Sequence, residues 1–168
     1  MLFPIPKTTA TPTEGEVKIP LLFFVQRIQR YDLHSHTPLP SLIYEVPSDE
    51  EAMTLVDDNY SSDALFEWNS ERLDLDGFKK FVQEWRNRYT FLDFEFHEAL
   101  ATPDVNDEEG RGGTIGFALK GRVVSKDDGK MYGGKAHAIF KVEWIGDRRV
   151  ITRNAQVLQG PYVVEDER

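Results

Sequence analysis

The chain has 168 residues and 40% hydrophobic content, which suits one domain around one core. Its formal net charge is −9, and an acidic surface repels phosphate backbones, so nucleic acid is a poor candidate partner. The absence of Cys excludes disulfides, thiolate metal sites and a Cys nucleophile, and fits a reducing, cytoplasmic setting.

Residues 1–16 are rich in Pro and Thr and read as a loose arm without a secretory pattern. Pro20 suits the first turn of a helix, and Leu21, Phe24, Val25, Ile28 and Tyr31 recur at helical spacing up to Asp32. The segment Leu33–Pro47 carries Pro38, Pro40 and Pro47, so no regular helix is expected there. Its Leu39, Leu42, Ile43 and Tyr44 are apolar enough to pack down as a lid. Ser48 with Glu51 forms a capping-box pattern, and Ala52, Leu55, Val56 and Tyr60 continue it as a second helix. Ala64–Trp68 reads as a short strand. Asp76 is the expected N-cap of a third helix with the face Phe78, Phe81, Val82, Trp85 and Tyr89.

Four long strands follow, each alternating with period two. They are Phe91–Ala101, Thr114–Val124, Lys135–Ile145 and Val150–Gln159. The connections are too short for a crossover helix, so the strands should pair antiparallel as a meander. The acidic, Gly-rich stretch Asp104–Gly113 reads as a long flexible loop. A four-residue turn over Gly146–Arg149 pairs Ile145 with Val150 and places Val142 opposite Arg153. The alternative, slipped by one residue, sets Lys141 beside Arg153, an unfavourable like-charge pair. The first register puts Arg153 on the apolar face. The tail from residue 161 to 168 is acidic and expected to fray, and no apolar run approaches the roughly 20 residues that span a bilayer, so no membrane is expected as partner.

Helices gathered on one face of such a sheet make an α+β domain over residues 17–160. The expected form is a cone: four long antiparallel strands plus a short one, covered by three helices around a pocket. This order resembles the nuclear-transport-factor-2-like superfamily, particularly the SnoaL-like polyketide cyclases. Asp63–Trp68, Leu75-Asp76-Gly77-Phe78, Phe91–Phe96 and the hairpin Trp144–Val157 carry the resemblance. Some features are similar to scytalone dehydratase: the pair Tyr31-Asp32, an aromatic at Trp68 on the short strand, and His97 after the third helix. A second catalytic His on the next strand is missing, since Thr114–Val124 holds none. The resemblance therefore implies a related general acid/base role rather than that activity.

The candidate chemistry is sparse. His97 beside Glu98 reads either as a general acid/base poised near neutral pH or as an exposed strand pair, and alternation sends one of the two inward. Tyr31 and Asp32 read as a phenol–carboxylate pair for orienting water or a carbonyl, or as ordinary helix-end residues. Arg153 needs an anionic partner if buried, from Glu98, Asp32 or a ligand. Phe94, Phe96, Phe117, Phe140 and Trp144 form an apolar wall that suits a small hydrophobic molecule. Asp32, His34 and His36 lie among prolines without a further ligand set, so neither metal nor other cofactor is expected. The outer sheet face, with Ile139, Ile145, Val150 and Leu158 among Thr152, Asn154 and Gln156, predicts a homodimer. The leading expectation is a cofactor-free lyase, isomerase or cyclase acting on an apolar oxygenated ring compound. The rival is a non-catalytic ligand- or protein-binding member of the same superfamily.

Overall fold

The structure is a computed structural model that describes residues 39–107 and 109–164; the side chains of residues 39–41, 98 and 99 lie outside the description. The predicted helix ending at Asp32 falls outside the described residues. Three helices are described: α1 (Leu39–Glu45), α2 (Asp49–Asn59) and α3 (Leu75–Arg88). Six strands are described: β1 (Tyr60–Trp68), β2 (Glu71–Leu73), β3 (Tyr89–Pro103), β4 (Gly113–Ser125), β5 (Met131–Ile145) and β6 (Arg148–Val163).

Helix α1 corrects the expectation that residues 33–47 hold no helix. Pro40 falls in the first turn of α1, where its missing N–H would have no intrahelical acceptor anyway, and Pro47 follows the last turn. Ser48 caps α2 as expected, its hydroxyl accepting from the Glu51 amide at 3.1 Å. The cap of α3 is Asp74 rather than Asp76: Asp74 Oδ1 accepts from the Gly77 amide at 2.8 Å. Asp76 instead sits in the first turn, where its charge suits the positive end of the helix.

The sheet order is β2-β1-β6-β5-β4-β3. The four long strands form the antiparallel meander, while β1 lies parallel to β6, so the sheet is mixed. Helix α3 connects β2 at one edge to β3 at the other and touches both of these edges of the sheet. It buries Phe78 and Val82 there, and Phe66 of β1 stacks on Phe78 at 4.1 Å between ring centroids. The fold is thus α+β, a curved open sheet whose concave face carries the helices. Its core joins Val56 of α2 to Phe66, Ile115, Phe140, Val142 and Ile151 of the sheet.

Three strand details differ from the expectation. First, the β5–β6 turn has two residues, Gly146 and Asp147, because Ile145 pairs with Arg148. Gly146 has φ 67°, the positive value that a type II′ hairpin requires at its first loop position. A bulge then leaves Thr152 between the pairs Val142–Ile151 and Lys141–Arg153. Lys141 and Arg153 therefore do stand side by side. Each has its own carboxylate: Glu143 lies 2.7 Å from Lys141 Nζ, and Glu67 of β1 accepts from Arg153 Nε at 2.7 Å. Glu67, which β1 brings beside β6, offsets the repulsion between the two cations.

Second, β3 bulges at Leu92, because Phe91 pairs with Val123 and Asp93 already with Arg122. Leu92 turns out to 46% exposure, and Phe91 joins Phe94 inside. Third, β6 continues to Val163, paired with Tyr132, where a frayed tail was expected from residue 161. The loop after β3 is also more tied than a flexible linker. The Asp107 carboxylate accepts from the amides of Arg111 and Gly112, both at 2.7 Å.

Candidate functional site

The concave face encloses a cavity of about 90 Å³. Its helical wall comes from Ile43 and Tyr44 of α1 and from Phe78, Phe81 and Trp85 of α3. These α3 residues share one face by their spacing of three and four. Phe91, Phe94 and Phe96 of β3 close a second side, and Tyr60 and Trp68 of β1 a third. Leu119 and Ala136 form part of the floor, with Asn154, Gln156 and Leu158 of β6 beside them. The walls hold to one another by ring contacts: Trp68 meets Phe81 edge-on at 4.0 Å, and Tyr44 stacks on Phe91 at 4.6 Å.

The polar groups among the described lining residues are all neutral. Gln156 Nε2 donates to Asn154 Oδ1 at 2.9 Å, and Asn154 Nδ2 donates to Tyr60 Oη at 3.4 Å. Tyr60 is the acceptor in that chain, so its own proton is left for donation. Trp68 Nε1 is buried without a hydrogen-bond partner among the described residues. A buried donor left unpaired costs roughly 1–3 kcal/mol. No Asp, Glu, His, Lys or Arg is among the described lining residues. A charged ligand would find no counter-ion in that lining, so the site favours a neutral one.

Burial pushes the Tyr60 phenol well above its ordinary pKa, with the Asn154 hydrogen bond opposing in part. Burial, and then the neighbouring Tyr60, push Tyr44 in the same direction. Both phenols are therefore neutral donors throughout the physiological range. The stability they confer is complete below about pH 10, the unfolded phenol pKa, and falls as pH rises beyond it. Only the unfolded chain releases those protons, so the loss should be roughly 1.4 kcal/mol per pH unit for each phenol. Urea unfolding between about pH 9 and 11 checks this, and a tyrosinate titration in which every Tyr ionises together near pH 10 would contradict it.

The structure sorts the sequence-predicted site residues into four groups. Trp68, Phe94 and Phe96 line the cavity. Phe117 and Phe140 lie beneath it in the core, meeting edge-on at 5.1 Å. Tyr31 and Asp32, and the side chain of Glu98, fall outside the described residues. His97, Trp144 and Arg153 do not enter the cavity. His97 pairs across from Ala118, 46% exposed and 3.4 Å from Glu95, and is not among the cavity's described lining residues. Trp144 is flanked instead by Arg111 and Arg149, whose guanidinium carbons lie 5.2 and 5.8 Å from its rings.

Arg153 is 55% exposed and bound to Glu67. An exposed pair of this kind contributes little. Arg153→Met is accordingly expected to change stability by less than about 1 kcal/mol and to leave cavity binding unaltered, as denaturant titration and ligand titration would show. The same register places Asn154 and Gln156 inside, with Val150 buried and Leu158 at the cavity, where the outer face was expected. The outer face carries Arg153 and Val157 in their stead, beside Ile139 as expected.

Sequence reasoning missed Tyr60, Asn154 and Gln156 as a polar set. Helical periodicity carries Tyr60 to the end of a helix, and strict alternation along β6, without the bulge at Thr152, turns the two amides outward. Gly146-Asp147 suits a two-residue II′ loop, but that turn alone keeps the faces of β6, and the Thr152 bulge that brings the amides inside has no mark in the sequence.

No family model and no curated protein matches the sequence. Solved structures do match in fold. A type 2 hexachlorocyclohexane dehydrochlorinase superposes with a TM-score of 0.64 at 8% identity, covering 88% of this chain and 94% of its own. A ketosteroid isomerase-like protein from Erwinia carotovora atroseptica gives a TM-score of 0.55 at 11% identity, covering 72% and 92% respectively.

Proposed function

We propose that this chain, built on the nuclear-transport-factor-2-like fold, binds a neutral, apolar, oxygenated ring compound in the aromatic cavity and acts on it as an isomerase, lyase or cyclase. The observation that carries the reading is the cavity's lining: aromatic walls with two uncommitted donors, Tyr60 Oη and Trp68 Nε1, and no charged group among the described residues. In this reading the ring lies among Phe81, Trp85, Phe91 and Phe94, and its carbonyl or hydroxyl oxygen accepts from Tyr60 and Trp68. A donor placed where negative charge develops would stabilise an enolate or alkoxide. The proton acceptor is assigned to Asp32 or Glu98, the two carboxylates of the sequence reading whose side chains lie outside the described residues. The dehydrochlorinase and the ketosteroid isomerase-like protein give the fold precedents for work on ring compounds.

The second reading, a non-catalytic ligand-binding protein, is favoured by one observation: nothing in the described lining accepts a proton more strongly than an amide oxygen. Proton exchange separates the two. Deuterium exchange at the carbon next to the carbonyl of 2-tetralone, followed by NMR with the protein in D2O, should be accelerated and should be lost in either Asp32→Asn or Glu98→Gln. Binding without accelerated exchange supports the non-catalytic reading, and absence of binding removes both. Tyr60→Phe should weaken ketone binding by roughly fivefold to tenfold, the worth of one neutral hydrogen bond. A homodimer through the outer sheet face, with Ile139 and Val157 exposed on it, belongs to the same proposal. A monomeric mass by light scattering at micromolar concentration would remove that part.

A further inference from the structure

We infer, on the strength of the cavity reading above, that the ligand site has a second lobe floored by glycine backbone, and that Gly134 sets how large a flat ligand it admits. A cavity of about 70 Å³ adjoins the first and shares Trp85, Phe91, Phe94, Leu119 and Leu158 with it. Its other lining residues include Val123 and Pro161, and none is charged.

The floor of this lobe is a row across adjacent strands. Phe94 of β3 pairs with Gly121 of β4, and Gly121 pairs with Gly134 of β5. Gly160 of β6 comes next: a Cβ built on it would lie 3.0 Å from the Gly134 Cα. Three neighbouring strands thus present backbone, with no side chain, toward the cavity. Glycine inside a strand weakens the strand and often marks close approach of another group.

The three glycines are not equivalent. At Gly121 a Cβ would lie 3.0 Å from two atoms of the Phe94 ring, so the protein's own side chain already fills that space. At Gly160 a Cβ would lie 2.9 Å from the Gly133 carbonyl oxygen, and φ is 124°, so glycine is required by the backbone. Gly134 has neither reason. A Cβ there would meet nothing nearer than the Gln159 oxygen at 3.5 Å and Leu158 Cδ1 at 4.0 Å, both ordinary contacts. The room above Gly134 is therefore left open by the sequence, and it opens into the second lobe.

The two lobes divide the ligand between them. The oxygen function stays in the first, at Tyr60 and Trp68, while a flat apolar portion passes Trp85 and Phe94 to lie on the peptide planes of the row. The ligand class is a neutral fused-ring compound with its oxygen at one end.

The test uses the full chain with acetophenone and 2-acetonaphthone, which share one ketone and differ by one fused ring. Their affinities are measured by equilibrium dialysis for the native chain, Gly134→Ala and Gly134→Val. The native chain should bind the naphthyl ketone about tenfold more tightly, from the added apolar burial. Gly134→Val should erase that preference and Gly134→Ala reduce it about threefold, with acetophenone affinity changing less than about twofold. Should the Val variant fail to fold, the Ala variant decides, since its methyl meets only ordinary contacts. Equal native affinity for the two ketones overturns the second lobe and leaves the first-lobe reading standing. Equal losses for both ketones in the Gly134 variants show a glycine that only shapes the sheet, and overturn the inference. Binding of neither ketone overturns the inference together with the reading on which it rests.

Discussion

Phe140→Ala is expected to lower stability by roughly 3–5 kcal/mol, and Lys141→Ala, one residue away, by no more than about 0.5. Phe140 is 0% exposed, pairs with Ile115 of β4 and meets Phe117 edge-on. Removing the ring leaves a hole between sheet and helices that close packing cannot fill. Lys141 stands on the other face with its ammonium on Glu143, where solvent replaces what is lost. In a chain of this length each kcal/mol shifts the melting temperature by about 2–4 °C, so the two variants should separate by several degrees at least. Equal melting temperatures would show that the inner and outer faces of β5 are misassigned.

Arg86→Met should cost about 2–4 kcal/mol despite keeping most of the side-chain volume. Arg86 is 9% exposed, and its guanidinium reaches three acceptors at once. It donates to the Ile43 and Val46 carbonyls at 3.0 Å each and to Asp49 at 2.7 Å. The first two belong to the end of α1, where carbonyls have no intrahelical partner. A helix of seven residues has little intrinsic stability. Arg86 on α3 therefore fastens α1, and with it Ile43 and Tyr44, against the cavity. The variant should lose ligand affinity along with stability, whereas Asp49→Ala should lose much less of either. Denaturant melts and ketone titrations of the two variants check this, and equal effects would show that the salt bridge, not the helix-end carbonyls, is what Arg86 supplies.

The fold was legible in the sequence where periodicity was long and one-sided. Ala136, Ala138, Phe140 and Val142 alternate with charged or exposed residues, and all four are buried as that pattern demands. Helix α3 was equally plain from Phe78, Phe81, Val82 and Trp85, although its cap lay two residues earlier than supposed. The site was legible only in its walls. Its polar members depended on the faces of β6, and the one residue inserted at the Thr152 bulge exchanged those of Arg153 and Asn154, since a turn of two residues in place of four keeps the faces. Alternation fails at bulges, which insert a residue without any mark in composition. The bulge at Leu92 is why Phe91 shares the inner side with Phe94. The partner of Arg153 was illegible for a different reason: Glu67 reaches it across a parallel pairing of strands 86 residues apart. No local pattern carries that information.

The irregular path of β3 also bears on the protein's behaviour in concentrated solution. Among the described residues β3 pairs only with β4, so it is an edge strand with one row of amides and carbonyls unpaired within the described sheet. A long, flat and apolar border of that kind recruits further strands and seeds aggregates. Here the border is interrupted twice, at Leu92 and again between His97 and Leu100, and it carries Asp93 and Glu95 between the interruptions. A visiting strand would lose register at each break and meet negative charge in between. The irregularity that turns Phe91 inward thus doubles as protection against self-templating, and a shortened chain without Leu92 would trade a cavity wall for a sticky margin.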